Sequence, residues 1–274
     1  MIRLVVNADD LGLDPAIDRG ILLAHREGIV TSASLLPTGR SAADAVRAAR
    51  SDGLALGVHL CLTTCLPPAA EASRVPSLAP QGRFRRSWME LVRAWLGRKI
   101  HLDEVDLEFR AQLSRARELG ANPDHLDGHQ HLHLLPEIAG VVASIAREEG
   151  LPVRWPREDA HLDWAARAGP ALKSAILNGL ARAMAPPEQR IAGIGLFEAG
   201  ALSEDRLCRL LLRLRAGDYE LGCHPGLAVP QIDEDPDWRY GWDEELSALC
   251  SPRVKDSLRI RGIQLCRFSE LVRA

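Results

Sequence analysis

Apolar and polar positions follow two different periods along the chain, and segments of the two kinds alternate almost from end to end. Short apolar or β-branched runs predict strands at 2–7, 30–36, 54–60, 124–128, 152–155, 190–196, 219–223 and 262–266. Amphipathic stretches predict helices at 15–28, 41–52, 87–97, 103–120, 136–149, 163–184, 203–216 and 242–259. About eight strand–helix repeats in 274 residues are typical of a (β/α) barrel. We predict this α/β fold, with an open doubly wound sheet as the alternative.

One long irregular segment interrupts the alternation. Residues 64–86 contain Pro67, Pro68, Pro76 and Pro80 and show neither period. Together with the helical stretch that follows, residues 64–100 are predicted to form a loop and helix insertion over the face where the strands end. No linker or repeat is visible, so residues 1–274 are predicted to be a single domain.

Composition and charge disfavour several classes of function. The chain has 34 Lys+Arg, 37 Asp+Glu and a formal charge of −3, so it has no overall field that attracts nucleic acid or an anionic membrane. No apolar run approaches the ~18 residues of a membrane span, and the apolar N-terminal run is too short for a signal peptide. We therefore expect a cytoplasmic protein whose six cysteines are buried free thiols.

Polar clusters stand where four of the predicted strands end. They are Asn7–Asp10, Gly57–His59, His125–His133 and Gly222–Gly226. Because the active site of a β/α barrel is built from the carboxyl ends of several strands, these clusters are expected to meet in one site.

Alternation within the strands directs some of these side chains into the barrel. His59 shares a strand face with Gly57, and His224 shares one with Gly222 and Glu220, which leaves room beneath each histidine. If the next run stayed extended, it would also place five polar residues on one face: His125, Asp127, His129, His131 and His133.

Two adjacent carboxylates, Asp9 and Asp10, end the first strand, and Gly12 permits the turn that brings both into one site. Two close carboxylates raise each other's pKa unless a cation keeps both ionised. The pair therefore favours a divalent metal, with His59 and a histidine of the 129–133 run as partners of Asp10. The residues alone leave open which histidine of that run is the ligand.

At these motifs the sequence resembles the YdjC-like carbohydrate deacetylase family, which includes chito-oligosaccharide deacetylases. The resemblance spans nearly the whole chain in the same order. It is carried by Asn7-Ala8-Asp9-Asp10-Leu11-Gly12, Gly57-Val58-His59-Leu60, the run His125–His133, and Cys223-His224-Pro225-Gly226.

The resemblance implies a seven-stranded, distorted barrel and metal-dependent removal of an N-acetyl group from an amino sugar. By motif matching, Asp9 corresponds to the catalytic base, and Asp10, His59 and His129 correspond to the metal ligands. His224 corresponds to the general acid that protonates the leaving amine. Magnesium is the metal often given for the family, whereas an Asp-His-His set suits zinc, so the metal is predicted only as one divalent ion.

Further residues near the strand ends are candidates for contact with a small acetylated amino-sugar substrate. They are Asp127, His131, Arg154, Arg157 and Glu198. For partners we predict no nucleic acid, and a homodimer is one option that the sequence leaves open.

Three alternatives remain at this stage. The first is a deacetylase of a lipid-linked or specialised amino-sugar conjugate, which exposed apolar residues in segment 64–86 would support. The second is a glycosidase, which needs two carboxylates roughly 5–10 Å apart across the sugar. The third is a saccharide-binding protein that keeps the barrel without turnover.

Overall fold

A parallel sheet of seven strands forms the centre of the fold. The computed structural model describes residues 1–157, 168–185, 191–196, 198–227 and 240–271. The strands are β1 (Ile2–Leu11), β2 (Ser32–Leu35), β3 (Ala55–Leu60), β4 (Pro123–Gly128), β5 (Ala192–Ile194), β6 (Gly217–Cys223) and β7 (Ile263–Leu265). Their order is β4-β3-β2-β1-β6-β5, and β7 pairs with the first residues of β1. The predicted α/β fold with a curled, distorted barrel sheet is confirmed.

Helices follow most of the strands. They are α1 (Pro15–Arg26), α2 (Ala42–Asp52), α3 (Trp88–Leu96), α4 (Leu102–Glu118), α5 (Pro136–Glu149), α6 (Ala168–Met184), α7 (Glu204–Arg213), α8 (Trp242–Cys250), α9 (Pro252–Arg261) and α10 (Phe268–Leu271). The single helix predicted at 242–259 is wrong, because Ser251 has extended backbone and Pro252 starts a new helix. Proline lacks the N–H that a continuous helix needs, and Ser251 caps α9 by accepting from the N–H of Arg253 and Val254.

The strand predicted at 152–155 is reduced to a single bridge between Val153 and Leu126. Pro152 and Pro156 lack backbone donors, so a longer ladder cannot form there. The segment still lies between β4 and β5, because the Gly193 N–H donates to the Arg157 carbonyl at 2.6 Å. The segment that carries Arg154, the residue after Val153, is therefore part of the barrel wall.

The segment between β3 and α3 is irregular, as predicted, and contains one short 3₁₀ helix, Ala72–Arg74. One face of α4 binds its backbone: Glu108 accepts from the N–H of Ala69 and Ala70, each at 2.9 Å, and Glu104 accepts from that of Ser77 at 2.7 Å. Polar side chains thus fix this loop from below. Its placement over the active-site face stays a prediction.

The expected exposed apolar residues of segment 64–86 are not found there. Leu66, Val75, Leu78 and Phe84 are all buried. Large exposed apolar side chains appear instead on the following helix, α3, at Met89 and Leu96.

All six cysteines are free, as predicted, but they are not all buried. Cys65 and Cys250 are only partly buried, whereas the other four are buried. None of the helices in the described part of the chain combines the length and the apolar character that crossing a bilayer requires.

Asp18 of α1 gives a stability prediction. Burial raises its pKa to about 6, and its Oδ1 accepts the Gly12 N–H at 2.6 Å. Because the pKa of Asp18 in the folded protein is above its unfolded value of ~4, protonated Asp18 stabilises the fold below pH ~4. This contribution to the free energy of unfolding is lost as the pH rises through about 6. Asp18→Asn keeps the acceptor without the charge, so we expect its free energy of unfolding to exceed that of the wild type at pH 8 by up to about 3 kcal/mol.

Urea unfolding between pH 4 and pH 8 measures this difference. The matched control is Asp44→Asn, a change of the same kind at an exposed position on α2. A difference between Asp18→Asn and wild type that does not grow with pH would contradict the prediction.

Candidate active site

The end of β1 departs from regular strand geometry at the two adjacent carboxylates. The register with β2 shifts between Ala8 and Leu11, and Asp10 has a φ of 69°. Left-handed backbone is uncommon outside glycine and is tolerated best by Asp and Asn. Gly12 is predicted to permit this turn, and its φ of 90° agrees; the structure shows that the backbone already turns at Asp10. This irregularity brings both carboxylates to the same end of the barrel.

Asp10 meets two buried histidines at this end. Its Oδ1 lies 2.9 Å from His129 Nδ1 and 3.5 Å from His59 Nε2, and the histidine rings meet edge to face with centroids 5.3 Å apart. Burial alone would raise the pKa of Asp10, yet the two imidazoles lower that pKa well below its usual range. The structure therefore brings together all three residues predicted as metal ligands.

Asp127 lies behind this cluster and is fully buried. Its Oδ2 accepts from His59 Nδ1 at 2.9 Å and from Ser34 Oγ at 3.0 Å, and its Oδ1 accepts the Gly128 N–H at 2.6 Å. Burial disfavours a charged His59, but the carboxylates of Asp127 and Asp10 raise its pKa to about 10. Asp127 thus orients the His59 ring so that Nε2 points toward Asp10.

Arg154 connects the second carboxylate of β1 to the same network. Its Nη1 donates to both oxygens of Asp9, at 2.7 and 2.8 Å, and to Asp127 at 2.6 Å, while Nε donates to Glu220. The guanidinium is buried, as are its three carboxylate partners. The cation that the adjacent carboxylates require is therefore supplied to Asp9 by the protein itself.

The glycines expected to leave room beneath the histidines have different neighbours. A Cβ on Gly222 would lie 2.3 Å from Arg154 Nη2, and one on Gly57 would lie 2.2 Å from the His125 ring. Each glycine makes space for a polar side chain from a neighbouring segment. Gly222 in particular allows Arg154 to reach Asp9.

His224 lies close to Asp9, just after β6. Its Nε2 is 3.8 Å from Asp9 Oδ2, and its ring meets that of Tyr240 edge-on at 4.7 Å between centroids. The fully buried Glu245 accepts the His224 backbone N–H at 2.6 Å, and its Oε2 lies 3.9 Å from His224 Nδ1. Burial raises the pKa of Glu245, although His224 opposes the shift.

The histidine run does not continue as a strand. β4 ends at Gly128, and residues His129–Leu134 form a 3₁₀ turn in which Gln130 and His131 have φ values of 53° and 57°. The expectation that alternate residues share one face therefore fails beyond Gly128. His129 turns to Asp10, whereas His133 Nε2 lies 3.0 Å from the Arg154 carbonyl oxygen.

A small pocket opens between Asp9 and His224. Polar side chains, three glycines and several apolar side chains form its wall. The lining residues are Asp9, His131, Arg154, Pro156, Gly193, Ile194, Gly195, Leu196, Ala199, Glu220, Gly222 and His224. Of the residues predicted to contact substrate, His131 and Arg154 reach this pocket. Arg157 and Glu198 do not line the pocket but hydrogen-bond through their backbones to residues that do. The Arg157 carbonyl accepts the Gly193 N–H, and the Glu198 N–H donates to the Gly195 carbonyl. The substrate contacts themselves stay predictions.

Sequence reasoning missed several residues that support the site. Asn7 Nδ2 donates to Asp9 Oδ1 and to Ser34 Oγ, each at 2.8 Å. Asn7 belongs to the first motif, and this position close to Asp9 in the sequence indicates that it could support the Asp9 carboxylate. Glu245 also had one, because Trp242, Leu246 and Leu249 define the buried face of α8 on which it lies.

The donor set at Asp10, His59 and His129 fits a divalent metal. One ligand atom from each residue lies within 4.8 Å of the others, and all three side chains are buried. Two imidazoles and one carboxylate form a typical set for zinc and related ions. In the described part of the chain, two other groups have ligand atoms equally close together, but both include Asp127, whose Oδ2 already accepts from the Arg154 guanidinium.

Comparison with known proteins places the chain in a family. The family model for YdjC-like proteins matches residues 3–259. The chain belongs to the YdjC-like family. This YdjC-like chain is 36% identical to the mouse carbohydrate deacetylase over 98% of its own length and 95% of the relative's. It is 31% identical to the chitooligosaccharide deacetylase of Serratia marcescens over 98% of both chains.

A solved structure agrees with the fold of this YdjC-like protein. A crystal structure from Enterococcus faecalis V583 superposes with a TM-score of 0.77 at 30% identity and covers 99% of both chains. The likeness extends over the whole barrel, including the strand ends that carry the site.

Proposed function

We propose that this protein is a metal-dependent hydrolase that removes the N-acetyl group from an amino sugar or short acetylated oligosaccharide and releases acetate. One observation carries the proposal: Asp9 lies within 4.8 Å of His59 of the Asp-His-His cluster, and its Oδ2 is 3.8 Å from His224 Nε2. The relatives named as carbohydrate and chitooligosaccharide deacetylases support the substrate class.

Asp10, His59 and His129 would hold the divalent ion. When bound there, such an ion supplies Lewis-acid polarisation of the acetamide carbonyl and lowers the pKa of a water. Asp127 keeps the His59 ring in place through Nδ1, as the partner of a metal-binding histidine commonly does. Magnesium and zinc both remain candidates, and the donor types favour zinc.

Asp9 is the proposed general base. Arg154 and Asn7 donate to its carboxylate and fix its position beside the Asp10 cluster. A carboxylate held in this position can accept a proton from the attacking water. The new C–O bond gives a tetrahedral carbon, from which the C–N bond must break.

His224 is the proposed general acid. It lines the pocket together with Asp9, and Glu245 accepts its backbone N–H. An amine leaves readily only when it is protonated, so His224 supplies a proton to the sugar nitrogen as the C–N bond breaks. Acetate and the free amino sugar are the products.

Among the predicted substrate contacts, the geometry favours His131, which reaches the pocket. Asp127 and Arg154 have buried protein partners and are better suited to positioning the site than to binding sugar hydroxyls. Arg157 and Glu198 stay candidates at the edge of the pocket. A cytoplasmic location and a homodimer also stay predictions.

The deciding experiment follows the fate of N,N′-diacetylchitobiose by mass spectrometry after incubation with protein reconstituted with zinc or magnesium. We expect loss of an acetyl group from an intact disaccharide. Cleavage to monosaccharides would indicate a glycosidase, and binding of unchanged sugar would indicate a saccharide-binding protein; either result contradicts the proposal. Turnover only of a lipid-linked amino sugar would keep the reaction and change the substrate class.

A further inference from the structure

The insertion carries a concentration of positive charge within a chain whose net charge is negative. Residues 83–99 contain six cations, Arg83, Arg85, Arg86, Arg93, Arg98 and Lys99, and one acid, Glu90, whereas the whole chain has a net charge of −3. All of these cations except Arg85 are exposed. Such an asymmetry within one segment indicates a negatively charged partner.

The helix within this segment, α3, has two apolar faces. Leu91 and Ala94 are buried against the protein. On the opposite face, Met89 is 45% exposed and Leu96 is 68% exposed, and Arg93 lies between them on the same side of the helix. An exposed apolar face bordered by cations is typical of helices that lie on a membrane surface.

Tryptophan flanks the exposed face. Trp88 and Trp95 are both half-buried, and Trp95 Nε1 donates to Glu137 Oε2 at 2.8 Å. Side chains with an apolar ring and a polar N–H are favoured at the boundary between lipid and water. Glu137 lies in the first turn of α5, directly after the histidine turn. Helix α3 therefore lies at the same end of the barrel as the candidate active site.

We propose that this surface docks on an anionic lipid surface. The α3 patch, as we define it, consists of Arg86, Met89, Arg93, Leu96, Arg98 and Lys99. Anionic headgroups match its cations, and the acyl boundary accepts Met89 and Leu96. The inference does not depend on the proposed reaction.

Charge complementarity favours lipid over a second copy of the chain. A symmetric contact through the α3 patch would bring the same cations of two copies together, and like charges repel. Nucleic acid matches the cations but leaves the exposed apolar side chains without a partner. A planar anionic bilayer satisfies both parts of the patch.

The test is co-sedimentation of the full-length protein with vesicles of phosphatidylcholine, with and without phosphatidylglycerol. We expect binding to the mixed vesicles that is at least about tenfold tighter than binding to neutral vesicles and that weakens as salt is raised. Two variants remove the two parts of the patch: Met89→Ser with Leu96→Ser, and Arg93→Glu with Arg98→Glu. Each is expected to weaken binding about tenfold or more.

A matched control changes the same chemistry elsewhere. Ile260 is 71% exposed on α9 beside the exposed Arg259, so Ile260→Ser with Arg259→Glu alters one apolar and one basic side chain outside the α3 patch. We expect this control to bind the mixed vesicles like the wild type. Circular dichroism of all variants verifies that they are folded.

Three results would overturn the proposal. The first is no sedimentation with anionic vesicles at low salt. The second is an equal loss of binding in the α9 control. The third is light scattering, without lipid, that shows a dimer which Leu96→Ser dissociates; in that case the face binds a second copy. Failure of the deacetylase assay alone would leave the lipid inference unaffected.

Discussion

Replacing Asp9 by Asn is expected to lower kcat for deacetylation by about 10²–10⁴-fold while the protein keeps its metal. Asn preserves the acceptor oxygen for Arg154 but cannot take a proton from water. The metal should remain because Asp10, His59 and His129 are unchanged. Acetate release and metal content, measured on the same preparation, test the expectation.

A matched variant separates this effect from general damage near β1. Asp14 caps α1 by accepting the Ala16 N–H, and Asn caps a helix equally well, so Asp14→Asn should retain the wild-type rate. Near-normal turnover of Asp9→Asn with metal bound would contradict the assignment of the base. Loss of metal from Asp9→Asn would indicate that Asp9 is a ligand instead.

Replacing Arg154 by Met is expected to have the largest effect on stability. The change leaves Asp9, Asp127 and Glu220 buried without their common cation, a situation that typically costs 3–5 kcal/mol. Equilibrium unfolding in urea measures the loss. Activity should fall as well, because Asp9 loses the donor that fixes its carboxylate.

The loss of stability should depend on pH with a definite sign. In the wild type, burial alone would raise the pKa of Asp127, but Arg154 helps to lower it below its ordinary value. The ionised Asp127 carboxylate therefore stabilises the fold above pH ~4, and this stabilisation is lost in acid. Without the cation the carboxylates are ionised at greater cost. The difference between wild type and Arg154→Met should therefore widen as the pH rises from about 4 to 7.

Arg253 provides the matched control. It also pairs with two carboxylates, Glu204 and Asp205, but all three side chains are exposed. Arg253→Met should lower the free energy of unfolding far less than Arg154→Met does, because water screens exposed ion pairs. An equally small loss for Arg154→Met would contradict the central role given to the buried guanidinium.

The sequence predicted which residues lie together at the strand ends better than it predicted the contacts between them. Strand-end position was enough to bring Asp9, Asp10, His59 and His224 together, because parallel strands present their carboxyl ends on one side. It was not enough to show that Arg154 neutralises Asp9. That contact depends on where the segment after Val153 crosses the barrel wall, which local periodicity does not encode.

The errors in the fold have local causes as well. The strand at 152–155 and the helix at 242–259 both contain the right apolar pattern, but Pro152 and Pro252 remove backbone donors where regular structure would need them. The buried face of α8 indicates that the Glu245 carboxylate is buried, but it does not indicate which group that carboxylate contacts. Only its contact with the His224 backbone shows what it does.

Acetate release from N,N′-diacetylchitobiose by metal-stripped protein, before and after a divalent metal is restored, tests the central claim most directly. The account predicts no acetate from the stripped protein and turnover when zinc or magnesium is added, since Asp10, His59 and His129 would then hold the ion beside Asp9. Full-rate acetate release by protein shown by elemental analysis to contain no metal would contradict it.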